Sequence, residues 1–237
     1  MKGEKPDFSN RYYLFPPVNP EGWKFGIPAL ALAAAFAAAS CFIPQMAVLT
    51  IPLLLLAYGI VLFFRDPERY PPDDPSAILS PADGRVCMVE ECEFPDSFGE
   101  MDEYKGVKHW RVSIFMSVFD VHVNRMPTDG TVLKKEYMAA GRFFNASLDK
   151  ASKENERCNY LVRAGNGQVY AVVQIAGLVA RRIVPQVEDG QVKSRAERFG
   201  LIRFGSRLDV YLPEGVKPEA LVGQTMVAGE SVIAHLR

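Results

Sequence analysis

The sequence predicts an α+β protein that is mainly β: one β-sheet-rich domain preceded by an N-terminal hydrophobic helical hairpin. Three observations predict it. The block from Phe25 to Phe64 carries no charged residue, which is enough apolar chain for a pair of bilayer-length helices. From Ile78 onward the apolar residues fall into short, alternating, β-branched runs punctuated by Gly and Pro, the period-two signature of strands. Between the two lies Arg65-Asp66-Pro67-Glu68-Arg69-Tyr70-Pro71-Pro72, where the prolines forbid continued helix.

The elements follow in order. Residues 1–24 form an N-terminal cytoplasmic or interfacial segment, with Lys2, Lys5, Arg11 and Lys24 as its basic residues. Its aromatics Tyr12, Tyr13, Phe15 and Trp23 suit the headgroup layer of a membrane, or else pack locally against the domain. Residues 25–64 form the anchoring hairpin. The runs IPALALAAAFAAASCFI and MAVLTIPLLLLAYGIVLFF are separated by Pro44-Gln45; the first would span about 25 Å as a helix. Apolar sequence continues well past the h-region of a signal peptide. Basic residues on both flanks, ending with Arg65 and Arg69, put both ends on the cytoplasmic side of a cell membrane. Spanning and re-entrant hairpins both satisfy this pattern, and a buried hairpin of a soluble protein is the bland alternative. Residues 65–75 are the linker and 76–237 the β-rich domain. Its clearest strand runs are Val112 to Val123, Val169 to Ile175 and Leu201 to Tyr211. Phe143 to Glu156 reads as a short helix or an ordered loop. Val222 to Leu236 reads as a terminal pair of strands around Ala228-Gly229-Glu230.

Composition excludes several classes. With 27 Lys and Arg against 28 Asp and Glu, the chain has no basic cluster of the kind nucleic acid needs. Cys41, Cys87, Cys92 and Cys158 match no zinc spacing and read as reduced thiols of a cytoplasmic domain. The histidines are His109, His122 and His235, scattered and without a His-x-His, which argues against a metal-dependent hydrolase.

Three motifs carry possible chemistry. Ser80-Pro81-Ala82-Asp83-Gly84 places Asp83 in a turn, where an Asp often does no more than shape the backbone. Phe119-Asp120-Val121-His122-Val123-Asn124-Arg125-Met126-Pro127 closes a strand. Strand periodicity puts His122 on one face with Asp120 and Asn124, and histidine titrates where proton transfer is useful. A satisfied structural histidine is the competing reading. Arg198-Phe199-Gly200-Leu201-Ile202-Arg203-Phe204-Gly205-Ser206-Arg207-Leu208-Asp209-Val210-Tyr211 holds Gly-Ser between two alternating runs. That is also the sequence of a two-residue hairpin turn. Asn155-Glu156-Arg157 and Phe63-Phe64-Arg65-Asp66-Pro67 add smaller signals.

In this order and spacing the motifs resemble the phosphatidylserine decarboxylases, and the short length and Gly-Ser-Arg triplet resemble the compact branch of that family. The resemblance covers most of the chain. It implies a proenzyme in which the Ser206 hydroxyl attacks the Gly205 carbonyl, and an N→O acyl shift and β-elimination cut the chain. A β chain of residues 1–205 and an α chain of 206–237 result, the latter beginning with a pyruvoyl group made from Ser206 itself. No pyridoxal phosphate and no metal are then needed. The implied reaction converts phosphatidylserine to phosphatidylethanolamine with release of CO2. The implied partners are a phospholipid substrate and the membrane, and a homodimer stays open.

The resemblance also implies roles. His122 is the candidate proton donor to the substrate carbon, and Asp83 a partner in self-cleavage. Asn124, Arg125 and Arg207 are candidate contacts to substrate. One departure stands out: better-known members carry a second histidine three residues after the first, and here that position is Arg125, which is always protonated and cannot be an ordinary base. Either His122 with Asp83 performs both tasks, or water or another group activates Ser206. Arg207, where many relatives have a small hydroxyl residue, is expected to be an exposed strand residue, with a lipid phosphate as its other option. Two rivals remain: a decarboxylase of another serine lipid such as archaetidylserine, and a non-enzymatic, membrane-anchored β module.

Overall fold

The computed structural model describes residues 17–99, 101, 103–139, 155–177, 182–203 and 206–237. The chain divides into two compact units, residues 1–68 and 69–237. In the first, α1 (Pro20–Ser40) and α2 (Ala47–Phe63) are joined by one turn of 3-10 helix at Pro44–Met46, where the sequence put its break. Asn19 caps α1 by accepting from Glu21 N at 3.1 Å, the usual way to satisfy a first-turn amide. The helices meet through small residues: Ala33 and Ala57 are fully buried, and a Cβ on Gly22 would lie 2.4 Å from Phe64 Cβ. Phe25 stacks on Phe64 at 5.7 Å. The base of the hairpin is closed by Asn19 N donating to Phe64 O at 2.8 Å and Asp66 N to Pro17 O at 2.6 Å. Ile27, Leu30, Leu32, Leu49, Ile51, Leu55 and Leu56 point outward, so apolar surface goes unburied all round the pair. Both helical segments are long and apolar enough to cross a membrane.

The second unit is a β domain. Its strands are β1 (Ala77–Leu79), β2 (Gly84–Cys92), β3 (His109–Met116), β4 (Val123–Arg125), β5 (Gly130–Met138), β6 (Arg157–Ala164), β7 (Val169–Ala176), β8 (Arg182–Pro185), β9 (Val192–Lys193), β10 (Arg198–Arg203), β11 (Ser206–Tyr211), β12 (Thr225–Met226) and β13 (Val232–His235). A short helix, α3, spans Asp96–Gly99. An eight-stranded sheet runs β12-β2-β3-β11-β7-β6-β5-β9, with a three-stranded sheet β4-β10-β8 and a pair β1-β13. All pairings are antiparallel, so each strand presents alternate side chains to opposite faces.

Both faces of the large sheet are covered. Val112, Ile114, Met116, Tyr160, Val172, Ala176, Leu208 and Val210 pack with Ile183, Phe199 and Ile202 of the small sheet in the main core. On the other face Leu161, Ala171, Val173, Ile175 and Tyr211 pack under Phe94 and Phe98. His109 belongs to this second layer: its ring stacks on Phe94 at 3.7 Å and its Nδ1 meets Leu212 O at 3.0 Å. Burial pushes its pKa below the usual imidazole range.

Three expectations change here. The run Val112 to Val123 is not one strand. β3 ends at Met116, residues 117–120 turn, and β4 pairs with β10 in the small sheet. The runs flanking Gly205-Ser206 do not form a hairpin, because β10 pairs with β4 and β8 while β11 pairs with β3 and β7. The terminal strands β12 and β13 likewise pair with β2 and β1, not with each other. Alternation shows that a segment is a strand, but it does not show which sheet takes it. Residues 140–154 lie outside the described residues, and with them most of the expected helix or loop at 143–156.

Candidate active site

Ser206 is the first residue of β11, at the centre of the eight-stranded sheet. It is paired with Met116 on one side and Ala176 on the other. It is fully buried. Alternation sends its side chain toward the main core with Leu208 and Val210, whereas Arg207, Asp209 and Tyr211 face the second layer. Gly205 lies outside the described residues.

The buried hydroxyl of Ser206 meets Met116 Sδ at 3.9 Å, and the same sulfur takes Asn124 Nδ2 at 3.7 Å. Asn124 is itself tied into the core: Gln174 Nε2 donates to Asn124 Oδ1 at 2.7 Å, and Tyr160 OH donates to Gln174 Oε1 at 2.7 Å. Burial raises the Tyr160 pKa well above the ordinary phenol value, so this hydroxyl keeps its proton. From Tyr160 to Met116 the string therefore has one polarity, and Ser206 donates to the same sulfur from the other side. Gly200 on β10 makes room for it, since a Cβ there would lie 3.0 Å from Gln174 Nε2 and 3.0 Å from Val184 O.

His122 is buried immediately before β4, two residues from Asn124 in the chain. Its Nδ1 lies 2.9 Å from Asp120 O. A carbonyl only accepts, so Nδ1 carries the proton and Nε2 is the basic nitrogen of the neutral ring. Ile202 N donates to His122 O at 3.3 Å, fixing the backbone. Asp120 is not on a strand face with His122 and Asn124, as the period suggested. It sits in the turn, where its Oδ2 accepts from Ser117 N at 2.7 Å.

Asp83 and Arg125 are brought together with a different segment. Asp83 Oδ2 pairs with Arg69 at 2.7 Å and Oδ1 accepts from Ala228 N at 2.7 Å. Arg125 donates to Ala196 O at 3.0 Å, its amide donates to Pro81 O at 2.9 Å, and its Cδ lies 3.2 Å from where a Gly229 Cβ would be. Both residues thus converge on the Ala228-Gly229 turn, where Gly229 has φ 75, a value suited to glycine. By the register Arg85↔Phe115, Gly84 sits beyond Met116 from Ser206. The Gly84 backbone is therefore about two strand spacings, near 10 Å, from that of Ser206.

Arg207 is fully buried, which overturns its expected exposure. Its Nη2 donates to Asp209 Oδ2 at 3.0 Å and its Nε lies 2.9 Å from Oδ1, a charge-assisted pair away from water. Arg111 approaches the same carboxylate at 3.9 Å and pairs with Glu90. A cavity of about 220 Å³ on this face is lined by residues including Phe94, Arg111, Arg157, Asn159, Asp209 and Tyr211. It lies on the opposite face of β11 from the Ser206 side chain.

Several site residues were not singled out by the sequence reading. Gln174 had a usable signal, a lone amide inside the apolar run Val169 to Ala176. Met116 had none. The Asn155-Glu156 pair proves to hold the end of β7 beside Ser206: Asn155 Nδ2 donates to Ala176 O at 2.8 Å, Ala176 N donates to Glu156 O at 2.9 Å, and Glu156 Oε1 takes Tyr137 OH at 2.5 Å. Among the described residues no group of three His, Cys, Asp or Glu gathers to hold a metal.

Comparison with known proteins matches residues 57–234 to the family model described as phosphatidylserine decarboxylase. A protein of Erythrobacter litoralis named phosphatidylserine decarboxylase proenzyme is 48% identical over 229 residues, covering 94% of this chain and 89% of the relative. Relatives of the same name from Novosphingobium aromaticivorans and Oleidesulfovibrio alaskensis are 45% and 50% identical, covering 94% and 92% of this chain and 88% and 93% of their own lengths.

Proposed function

Because the chain belongs to the phosphatidylserine decarboxylase family, we propose that it is a membrane-anchored carboxy-lyase that matures by cutting itself at Gly205-Ser206. It would remove the serine carboxylate of phosphatidylserine as CO2 and leave phosphatidylethanolamine. One observation carries the cleavage site: Ser206 opens a buried central strand beside a polar string, so the bland role of a hairpin turn does not account for it.

Self-cleavage is written as follows. His122 Nε2 takes the Ser206 Oγ proton as the oxygen attacks the Gly205 carbonyl carbon. The peptide C–N bond gives way to an ester, and the serine nitrogen becomes an amine. Loss of the Ser206 α-proton then breaks the Cβ–Oγ bond. That step frees Gly205 as a carboxylate and leaves dehydroalanine at residue 206. Tautomerisation and addition of water release ammonia and leave the pyruvoyl group. The tautomer imposed by Asp120 O supports His122 as the base, a role Arg125 cannot fill. Asp83, with both oxygens engaged by Arg69 and Ala228, supports cleavage by holding the C-terminal turn in place.

The buried, doubly paired position of residue 206 fits that group, since a small keto acyl fills the space of a serine and the ladder on both sides holds its chain end. The group supplies an electrophilic carbonyl that acts as the electron sink for loss of CO2. The chain's own residues do the rest. Asn124 and its neighbours exclude water and orient the headgroup, and His122 returns a proton to the substrate α-carbon. The apolar hairpin keeps the domain on the cytoplasmic face of the bilayer where the substrate resides.

Intact masses under denaturing conditions test the reading. Two species are expected, one ending at Gly205 and one beginning with a blocked residue 206, and Ser206→Ala should give a single uncut, inactive chain. Active protein of one uncut mass would reject the mechanism. His122→Ala should slow cleavage and abolish decarboxylation in whatever fraction is cut; unimpaired decarboxylation would remove His122 from the site.

A further inference from the structure

The turn that joins β3 to β4 carries two adjacent apolar side chains outward: Val118 is 51% exposed and Phe119 77%. The turn is built, not slack. Asp120 Oδ2 accepts from Ser117 N at 2.7 Å, Asp120 N donates to Ser117 O at 3.0 Å, and Phe119 N lies 3.4 Å from Ser117 Oγ. It is fixed at both ends to the candidate site, because Met116 before it pairs with Ser206 and His122 after it binds Asp120 O. From the extended-chain reach, Phe119 is within about 15 Å of residue 206.

We infer that the Ser117–Asp120 turn is a lipid-inserting tip, with Val118 and Phe119 entering the boundary between headgroups and acyl chains. This rests on the decarboxylase reading. The occupant follows from reach. The serine carboxylate is only a few bonds from the lipid phosphate, and the headgroup layer is about 5–8 Å thick in each leaflet. Residue 206 must therefore come down to that layer while the acyl chains stay in the membrane. The sheet end bearing the site is the surface that meets the lipid, and the apolar pair at its rim is what first touches hydrocarbon. A tip of this kind opens the headgroup layer next to the site without contributing to the reaction. The hairpin retains the protein on the membrane, whereas the tip sets the approach of the site to it.

The test uses the full chain in vesicles of phosphatidylserine and phosphatidylcholine, and separately a short-chain phosphatidylserine dissolved as monomers. Phe119→Asp should lower decarboxylation of the vesicle lipid about tenfold or more, since burial of a Phe side chain is worth at least one factor of ten. It should leave turnover of the dissolved lipid within about twofold. An equal loss on both substrates would make Phe119 a structural residue and overturn the inference. A second readout is independent of activity: Phe119→Trp should add fluorescence that acyl-brominated lipid quenches, over the background of Trp23 and Trp110. No added quenching, or a signal that follows protein concentration instead of lipid, would overturn it too, the latter assigning the tip to a second copy of the chain. If the unaltered chain turns over neither lipid, the decarboxylase reading fails, and the quenching still decides whether the tip inserts.

Discussion

Arg207 and Asp209 give the sharpest stability prediction. Both are fully buried and joined by two short contacts. Arg207→Met would leave a buried carboxylate facing Arg111 at 3.9 Å. Breaking a buried pair from one side costs about 3–5 kcal/mol, while replacing both partners by apolar groups is close to neutral. In a domain of this size each kcal/mol moves the melting temperature by roughly 2–4 °C, so the single variant should melt roughly 10 °C lower. Asp209→Leu should lose a similar amount, because it takes a buried carboxylate from both Arg207 and Arg111. The double variant should lose much less than the sum, a coupling of about 3 kcal/mol. The assay is thermal unfolding of the full chain in detergent, in a Ser206→Ala background so that the chain stays continuous. Additive losses, or an Arg207→Met variant that melts like its parent, would refute the pair as an energetic unit.

Other outcomes follow from single contacts. Gln174→Leu strands the Tyr160 hydroxyl and Asn124 Oδ1, and should cost about 1–3 kcal/mol for each stranded group and slow self-cleavage in a time course on denaturing gels. Gly200→Ala puts a Cβ 3.0 Å from both Gln174 and Val184 O and should destabilise by about 1–3 kcal/mol, read by urea unfolding. Gly22→Ala should loosen the hairpin, where the new Cβ would fall 2.4 Å from Phe64 Cβ, and lower the melting point of the helical circular dichroism signal without altering that of the β domain. Because burial lowers the His109 pKa, the unfolded chain takes up that proton first as pH falls. Stability should thus be intact above the ordinary imidazole value of 6.5 and decline below it, by at most about 1.4 kcal/mol per pH unit for this group. His109→Gln should flatten that slope in denaturant titrations at pH 5 to 7; an unchanged slope would acquit the histidine.

The fold class was legible because it rests on composition over long stretches: forty residues without charge from Phe25 to Phe64, then strand-period runs to the end. Partners of strands were not. β10 and β11 both alternate, and with Gly-Ser between them local chemistry favours a turn; only the global packing sends them into different sheets. The same limit hid the end of β3 at Met116, since Val118 and Phe119 continue the apolar run that the Ser117–Asp120 turn breaks. Arg207 was misjudged because an isolated strand arginine is usually solvated. The clue was Asp209, two residues on and so on the same face. His122 and Asn124 were visible as polar residues in an apolar strand, as Gln174 would have been by the same test. Met116 carries no polar mark and becomes part of the site only through its register with Ser206.

The placement of β11 between β3 and β7 has a consequence for assembly. Residues 206–237 supply that central strand, the edge strand β12 and one half of the β1-β13 pair. Taking them away would uncover the long edges of β3 and β7, a ready template for aggregation. If the chain is cut before Ser206 as proposed, loop closure would no longer link the two pieces, and refolding after denaturation would change from a unimolecular to a bimolecular event with a rate set by concentration. Under the proposed cut, the continuous precursor would refold at a rate independent of concentration, whereas the two pieces would refold more slowly on dilution.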